Sequence, residues 1–189
     1  SGGTTDHDPN SDIDCNGECF GGAMINECGF CLDEFYACSD LMFLQSVINN
    51  NSSIEGQYAL DIGYQQWQNG HLRILSLEEM GLTQIPGSIA NLDSLLSLSF
   101  WGNELTTLPG NIGSLTTLIE LGVNNNQLTS LPNSISNLSN LEVLHAGSNQ
   151  ITVIAPSICD LPAECDITLT DNNLCEEYHY QCIDAWGQQ

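Results

Sequence analysis

The chain has almost no positive charge. Lysine is absent, Arg73 is the one basic residue besides four histidines, and 24 acidic residues bring the net charge to -23. A surface of that sign repels phosphate backbones and anionic lipid, which excludes nucleic acid and acidic membranes as electrostatic partners. Long apolar runs are missing as well. No stretch of about 18 apolar residues occurs, so nothing reads as a membrane span. The opening SGGTTDHDPNSD has no apolar signal core and reads as a mature end or an excised piece of a longer secreted chain. Catalytic grammar is also lacking: there is no Gly-x-Ser-x-Gly elbow, no His-Glu-x-x-His helix and no phosphate loop. His7, His71, His145 and His179 fall in separate contexts, and adjacent acids such as Glu78 and Glu79 or Glu176 and Glu177 read as solvated charge. The expectation is a protein without enzyme activity.

Cysteine is confined to the two ends. Five of the nine precede residue 40, four follow residue 158, and none lies between. So many cysteines in a chain of 189 residues imply an oxidising, extracellular compartment, at the cell surface or secreted.

What is present between them is a repeat. Its clearest copy, TTLIELGVNNNQLTSLPNSISNL, runs from residue 116 to 138. Steps of 23 residues give apolar columns at Leu75, Leu98, Leu121, Leu144 and Ile167, and at Leu82, Leu105, Leu128, Ile151 and Leu174. An asparagine column follows at Asn103, Asn126, Asn149 and Asn172, with Met80 in its place in the first copy. A fixed period of this length means a solenoid, each coil burying its apolar edge against its neighbours. In each copy x-L-x-L-x alternates as a strand does, the asparagine turns the chain and I-x-x-L closes the coil. The asparagine amide suits bonding to the backbone of its own and the next coil, which makes a ladder of satisfied buried polar groups.

These motifs resemble the leucine-rich repeat family, specifically its short class with the LTxLPxxIxxLxxL signature. The resemblance implies an α/β solenoid with parallel strands on a concave face and helical N- and C-terminal caps. Four regions follow: 1–37, a Cys-rich segment; 38–70, an N-terminal cap; 71–161, the repeats; and 162–189, a last half-repeat and C-terminal cap. In the N-terminal cap, Ser39 is placed to cap a helix carrying Leu41, Phe43, Leu44, Val47 and Ile48, and Tyr58, Leu60, Ile62, Tyr64 and Trp67 are expected as packing groups.

In the first region, Asp6, Asp8, Asn10, Asp12, Asp14 and Asn16 alternate ahead of Gly17, the pattern of a loop that wraps a hard cation, so calcium is the expected cofactor. Ala23 stands where an EF-hand needs its last glutamate, which argues for an irregular site. Cys15, Cys19, Cys28 and Cys31 are spaced C-x3-C-x8-C-x2-C, read as disulfides rather than as a zinc site because the setting is oxidising. The segment resembles the DCNGxCxGxAxxxxCGxC repeats of large secreted bacterial surface proteins and, more distantly, thrombospondin-type calcium repeats.

At the other end, Cys159 and Cys182 are one period apart, which puts their α-carbons one coil apart and within disulfide reach. Cys165 and Cys175 are then expected to pair, and Cys38 is left over. An acidic helix with Tyr178, Cys182, Ile183 and Trp186 is expected to cap the end.

The strand register sets which side chains face the concave side. Trp101 is the one aromatic in these rows; Glu78, Glu120, Asn124 and His145 are its polar company. An aromatic there suits a protein segment or a sugar ring. The expected function is a non-catalytic extracellular interaction or adhesion module of a larger surface protein, with protein or glycan on the concave face. The alternative is a structural block of a fibre or surface layer that self-associates. A third reading is ice binding through the threonine column Thr83, Thr106, Thr129 and Thr152, although L-T-x-L is also the ordinary spelling of such repeats. Asn50, Asn51 and Asn137 stand in N-x-S sequons.

Overall fold

The computed structural model describes residues 24–25, 31–32, 36–178, 180–183 and 187. The expected calcium ligands from Asp6 to Asn16, and Cys15, Cys19 and Cys28, lie outside the described residues, as does the side chain of Cys31. A short antiparallel pair, β1 (Met24–Ile25) and β2 (Cys31–Leu32), precedes the main body.

The main body is a coil repeated along one axis. Its sheet runs β3 (Tyr64–Gln68), β4 (His71–Ser76), β5 (Ser97–Ser99), β6 (Glu120–Gly122), β7 (Val143–His145) and β8 (Asp166–Thr168) in sequence order. β4 to β8 are parallel, with Leu75, Leu98, Leu121, Leu144 and Ile167 in register. That column is almost fully buried, as is the column from Leu82 to Ile151. Each such leucine withdrawn from water contributes about 2 kcal/mol, so the fold is held coil against coil and not by one central core. A third inward column, Leu77, Phe100, Val123, Ala146 and Leu169, varies in size, the bulky Phe100 standing two coils from the small Ala146. The opposite side turns back through 3-10 helices at Gly87–Asn91, Ile112–Ser114, Asn133–Asn137 and Pro156–Asp160.

The asparagines act backward, onto the coil before, and not forward as expected. Asn126 accepts from the Leu105 N–H at 3.0 Å and donates to Phe100 O at 2.9 Å, both in the preceding coil, and to Val123 O at 3.1 Å in its own. Asn103, Asn149 and Asn172 repeat the pattern. The direction explains Met80: the first copy has no repeat before it to satisfy, and its own N–H is served by Asn103 at 3.1 Å. Asn51, off the period, closes the ladder at that end. It is buried, accepts from Thr83 N and Gln84 N, and donates to Val47 O and Gln84 O. Its sequon is thereby shut, whereas Asn50 and Asn137 remain exposed.

A second consequence of the turn is a left-handed residue in every coil. Glu79, Gly102, Asn125, Ser148 and Asp171 recur at one period and have φ between 51° and 70°. Only glycine occupies that region without steric cost, so the other four each hold about 1 kcal/mol of strain.

At the N-terminal end, helix α1 (Cys38–Asn50) packs against the turn Gly87–Asn91 and buries Leu41, Phe43, Leu44, Val47 and Ile48. Ser39 is not its cap. The helix starts two residues earlier than that cap would place it, after Ala37, and the Ser39 hydroxyl donates to Asp40 at 2.6 Å. Asp40 is buried, accepts from Leu72 N at 2.8 Å and lies 3.7 Å from the His71 ring, so it ties α1 to the sheet. Tyr64 also departs from expectation: the hairpin of β3 and β4 turns it outward, 55% exposed, instead of into the core.

At the C-terminal end Cys159 and Cys182 form a disulfide with α-carbons 5.5 Å apart. The expected Cys165 to Cys175 bridge is absent. Cys165 is buried among the core side chains while Cys175 is an exposed free thiol, so the two face different media. Cys38, left over in the sequence reading, is disulfide-bonded. In place of the expected acidic helix, the described residues hold a 3-10 turn at Glu176–Tyr178, and Trp186 lies outside them. Its Tyr178 hydroxyl is held above the ordinary tyrosine range by desolvation and by the neighbouring Glu177 carboxylate.

Candidate recognition face

Three rows of side chains cross the face of the sheet turned away from the buried leucine columns. The first runs Gln66, Ile74, Ser97, Glu120, Val143, Asp166, and the second runs Tyr64, Ser76, Ser99, Gly122, His145, Thr168, each set by strand pairing. The third, Glu78, Trp101, Asn124, Gly147, Thr170, is held by bonds such as Glu79 N to Trp101 O and Gly102 N to Asn124 O. All five residues expected on this face, Glu78, Trp101, Glu120, Asn124 and His145, are brought there.

Trp101 is half-buried and is not among the side chains packed on the apolar core. Tyr64 lies two strands away and one row over, about 10 Å across and 7 Å along the sheet from it. From the sequence Tyr64 is expected to pack with Tyr58, Leu60, Ile62 and Trp67, which hides its place on this face. The Asn-Gly turn at Asn69 and Gly70, both at positive φ, was the available signal, since that pair marks a hairpin and fixes the alternation on both sides of it.

Between the two rings the face is small and polar. Ser99 donates to Glu78 at 2.6 Å and Ser97 to Glu120 at 3.1 Å, so each carboxylate is oriented by a serine hydroxyl of the adjacent coil. Gly147 is needed in its row, because a Cβ there would stand 2.9 Å from the Thr170 hydroxyl oxygen. The described part of the face therefore offers two rings, oriented acceptors, an amide and one imidazole, which suits binding and supplies no nucleophile-base pair.

Elsewhere, a polar cleft of about 720 Å³ sits beside the end of α1, with Gln45, Asn49, Asn50, Glu55, Gln57 and Thr83 in its lining. The threonines Thr83, Thr106, Thr129 and Thr152 are all exposed on the far side of the turn, and Thr152 N bonds Thr129 O. Among the described residues no group of three metal-ligating side chains comes together, and no helix is long and apolar enough to cross a membrane.

The family profile described as a leucine-rich repeat region matches residues 62–162, more than half the chain. The chain belongs to the leucine-rich repeat family. No curated protein matches it. Among solved structures, it is similar to the ectodomain of the receptor kinase SOBIR1 from Arabidopsis thaliana, at 21% identity and a TM-score of 0.61 over 74% of this chain and 83% of that one. The BIR2 ectodomain from the same plant is similar at 22% identity and a TM-score of 0.59, over 75% and 83%. A plant ice-binding protein is similar at 20% identity and a TM-score of 0.50, over 75% and 58%. At these identities the likeness is one of fold.

Proposed function

We propose that this leucine-rich repeat chain is a non-catalytic recognition module of an extracellular or surface protein that takes a protein or glycan partner on its concave face. The observation that carries the reading is the pair Tyr64 and Trp101, two rings presented on a sheet face whose other positions are mostly small or polar. Rings of this kind bury large area at low entropic cost, and they suit either a peptide side chain or a sugar plane. Two of the ectodomains sharing the fold belong to plant proteins, one of them a receptor kinase, which is compatible with display outside a cell. The disulfides at Cys38 and at Cys159 agree with an oxidising setting.

In this reading residues 1–37 form a calcium-stiffened stalk and residues 38–70 and 162–189 close the two ends of the solenoid. The calcium is to be held by Asp6, Asp8, Asn10, Asp12, Asp14 and Asn16, where divalent charge also relieves self-repulsion at a net charge of -23. Addition of EDTA is then expected to raise protease cleavage before residue 38; an unchanged digest removes the stalk from the account. The recognition reading itself is tested by screening the chain on printed peptide and glycan arrays. Specific hits lost by Trp101→Ala and Tyr64→Ala support it, and hits untouched by both replacements contradict it.

A further inference from the structure

We propose that β3 is a pairing edge through which two copies of this chain join, antiparallel, into a two-fold dimer with one continuous concave sheet. The inference does not depend on the identity of any concave-face ligand.

β3 (Tyr64–Gln68) is the terminal strand of the six-stranded sheet. One of its edges pairs with β4; along the other, among the described residues, its backbone makes no hydrogen bond. Gln68 faces His71 across the two-residue Asn69–Gly70 turn, and antiparallel alternation then points the N–H and C=O groups of Gln65 and Trp67 outward. Proteins normally blunt such an edge with lysine, proline, inward charge or a bulge. β3 reads YQQWQ and carries none of the first three; its pairing with β4 has one irregularity, between Gln66 and Trp67.

Its surroundings make the omission more pointed. In a chain with 24 acidic residues, none falls between Asp61 and Glu78, and that window contains the one arginine and one of the four histidines. The edge segment is thus an uncharged window in the sequence of a strongly acidic chain. The occupant is a second copy, because the uncharged strand can meet its own equivalent about Gln66 without setting like charges face to face. Antiparallel pairing sets Gln66 opposite Gln66, Gln65 opposite Trp67 and Tyr64 opposite Gln68, with about four backbone hydrogen bonds between the outward groups. Gln66, whose amide donates to the Tyr64 hydroxyl, is exposed and free to meet its mate.

The other end of the solenoid offers no matching edge. Ile167 and Leu169 of the last coil are already engaged, Gly187 lies against Thr170, and the Cys159–Cys182 bridge ties the end down. An assembly using β3 alone closes as a dimer and does not grow into a filament. The short strand makes a small contact, so the dimer is weak, with a Kd on the order of 10 to 100 µM.

Sedimentation equilibrium up to about 500 µM tests this. The apparent mass is expected to climb from 20.5 kDa toward twice that value. Gln66→Lys and Gln66→Glu each set like charges face to face and are expected to weaken the dimer at least about ten-fold, while an equimolar mixture of the two recovers it as a heterodimer. Far-UV circular dichroism of both variants confirms that each is folded, since the Gln66 side chain is outside the core. Raising salt from about 0.01 M to about 0.15 M shortens the screening length from about 30 Å to about 8 Å and is expected to tighten the dimer, because the distant acids repel. A wild-type mass fixed at 20.5 kDa, variants that dimerise as well as wild type, or a dimer that salt loosens would overturn the proposal.

Discussion

Replacing Asn126 by alanine tests how the repeats are joined. Asn126 is 8% exposed, and its side chain makes three well-formed bonds to Leu105 N, Phe100 O and Val123 O. The three losses are unequal. Phe100 O keeps the Asn103 amide and Val123 O keeps the Asn149 amide, so each carbonyl falls from two such donors to one. Leu105 N keeps no substitute in its buried turn. One orphaned buried donor costs about 1 to 3 kcal/mol and each lost donated bond about 0.5 to 1 kcal/mol, so Asn126→Ala is expected to cost about 3 kcal/mol in all. In urea unfolding followed by far-UV circular dichroism, with a slope of about 2 kcal/mol/M, the midpoint falls by about 1.5 M. Asn126→Asp keeps the acceptor for Leu105 N but turns an anionic oxygen toward two carbonyl oxygens. Its carboxyl is expected to titrate above the unfolded value of about 3.9, so its deficit relative to wild type is full above the folded pKa and shrinks as pH falls through it. The neighbour Asn124→Ala, on the open face, is the control. A loss under about 1 kcal/mol for Asn126→Ala, or one equal to the control, refutes the ladder as the source of coil-to-coil stability.

Other outcomes follow from the same geometry. Cys159→Ser together with Cys182→Ser opens a loop of one repeat and is expected to lower stability by about 3 kcal/mol on chain-entropy grounds, read as a lower melting temperature that reductant cannot lower further at that bridge. Ser148→Gly relieves a left-handed residue at φ 51° and should raise stability by up to about 1 kcal/mol; a loss instead would mean the serine side chain matters more than the turn. Gly113→Ala places a Cβ 1.8 Å from Ser134 O in the next coil, and a marked drop in melting temperature is expected, with an unchanged value contradicting the coil spacing. For the threonine column, measurable thermal hysteresis would favour ice binding over its role as repeat spelling, and a null assay removes that reading.

Much of this fold is legible in the sequence because a repeat states its register over and over. Once Leu75 and Leu98 are aligned by period, every outward sheet position from Ile74 to Thr170 follows, and Trp101 and Glu78 are located without further information. What the period does not reach was less legible. Tyr64 belongs to a hairpin that occurs once, and its outward orientation depends on the antiparallel register with β4 and the irregularity between Gln66 and Trp67. Asn51 works like the ladder asparagines but reaches the first repeat from α1, a contact 33 residues distant in sequence with no pattern to announce it. The direction of the ladder was misjudged because spacing gives the position of an amide and not the way its side chain leans. Pairing Cys165 with Cys175 assumed that leftover cysteines find each other, whereas burial of one and exposure of the other decides against it.

The claim that the concave face is the binding surface is tested most directly by calorimetric titration of an array hit against wild type, Trp101→Ala and a control on the opposite side, Asn137→Ala. A central aromatic anchor predicts at least a 30-fold weaker Kd for Trp101→Ala, about 2 kcal/mol, with the control unchanged. Equal affinity for wild type and Trp101→Ala, or a loss confined to Asn137→Ala, would contradict it.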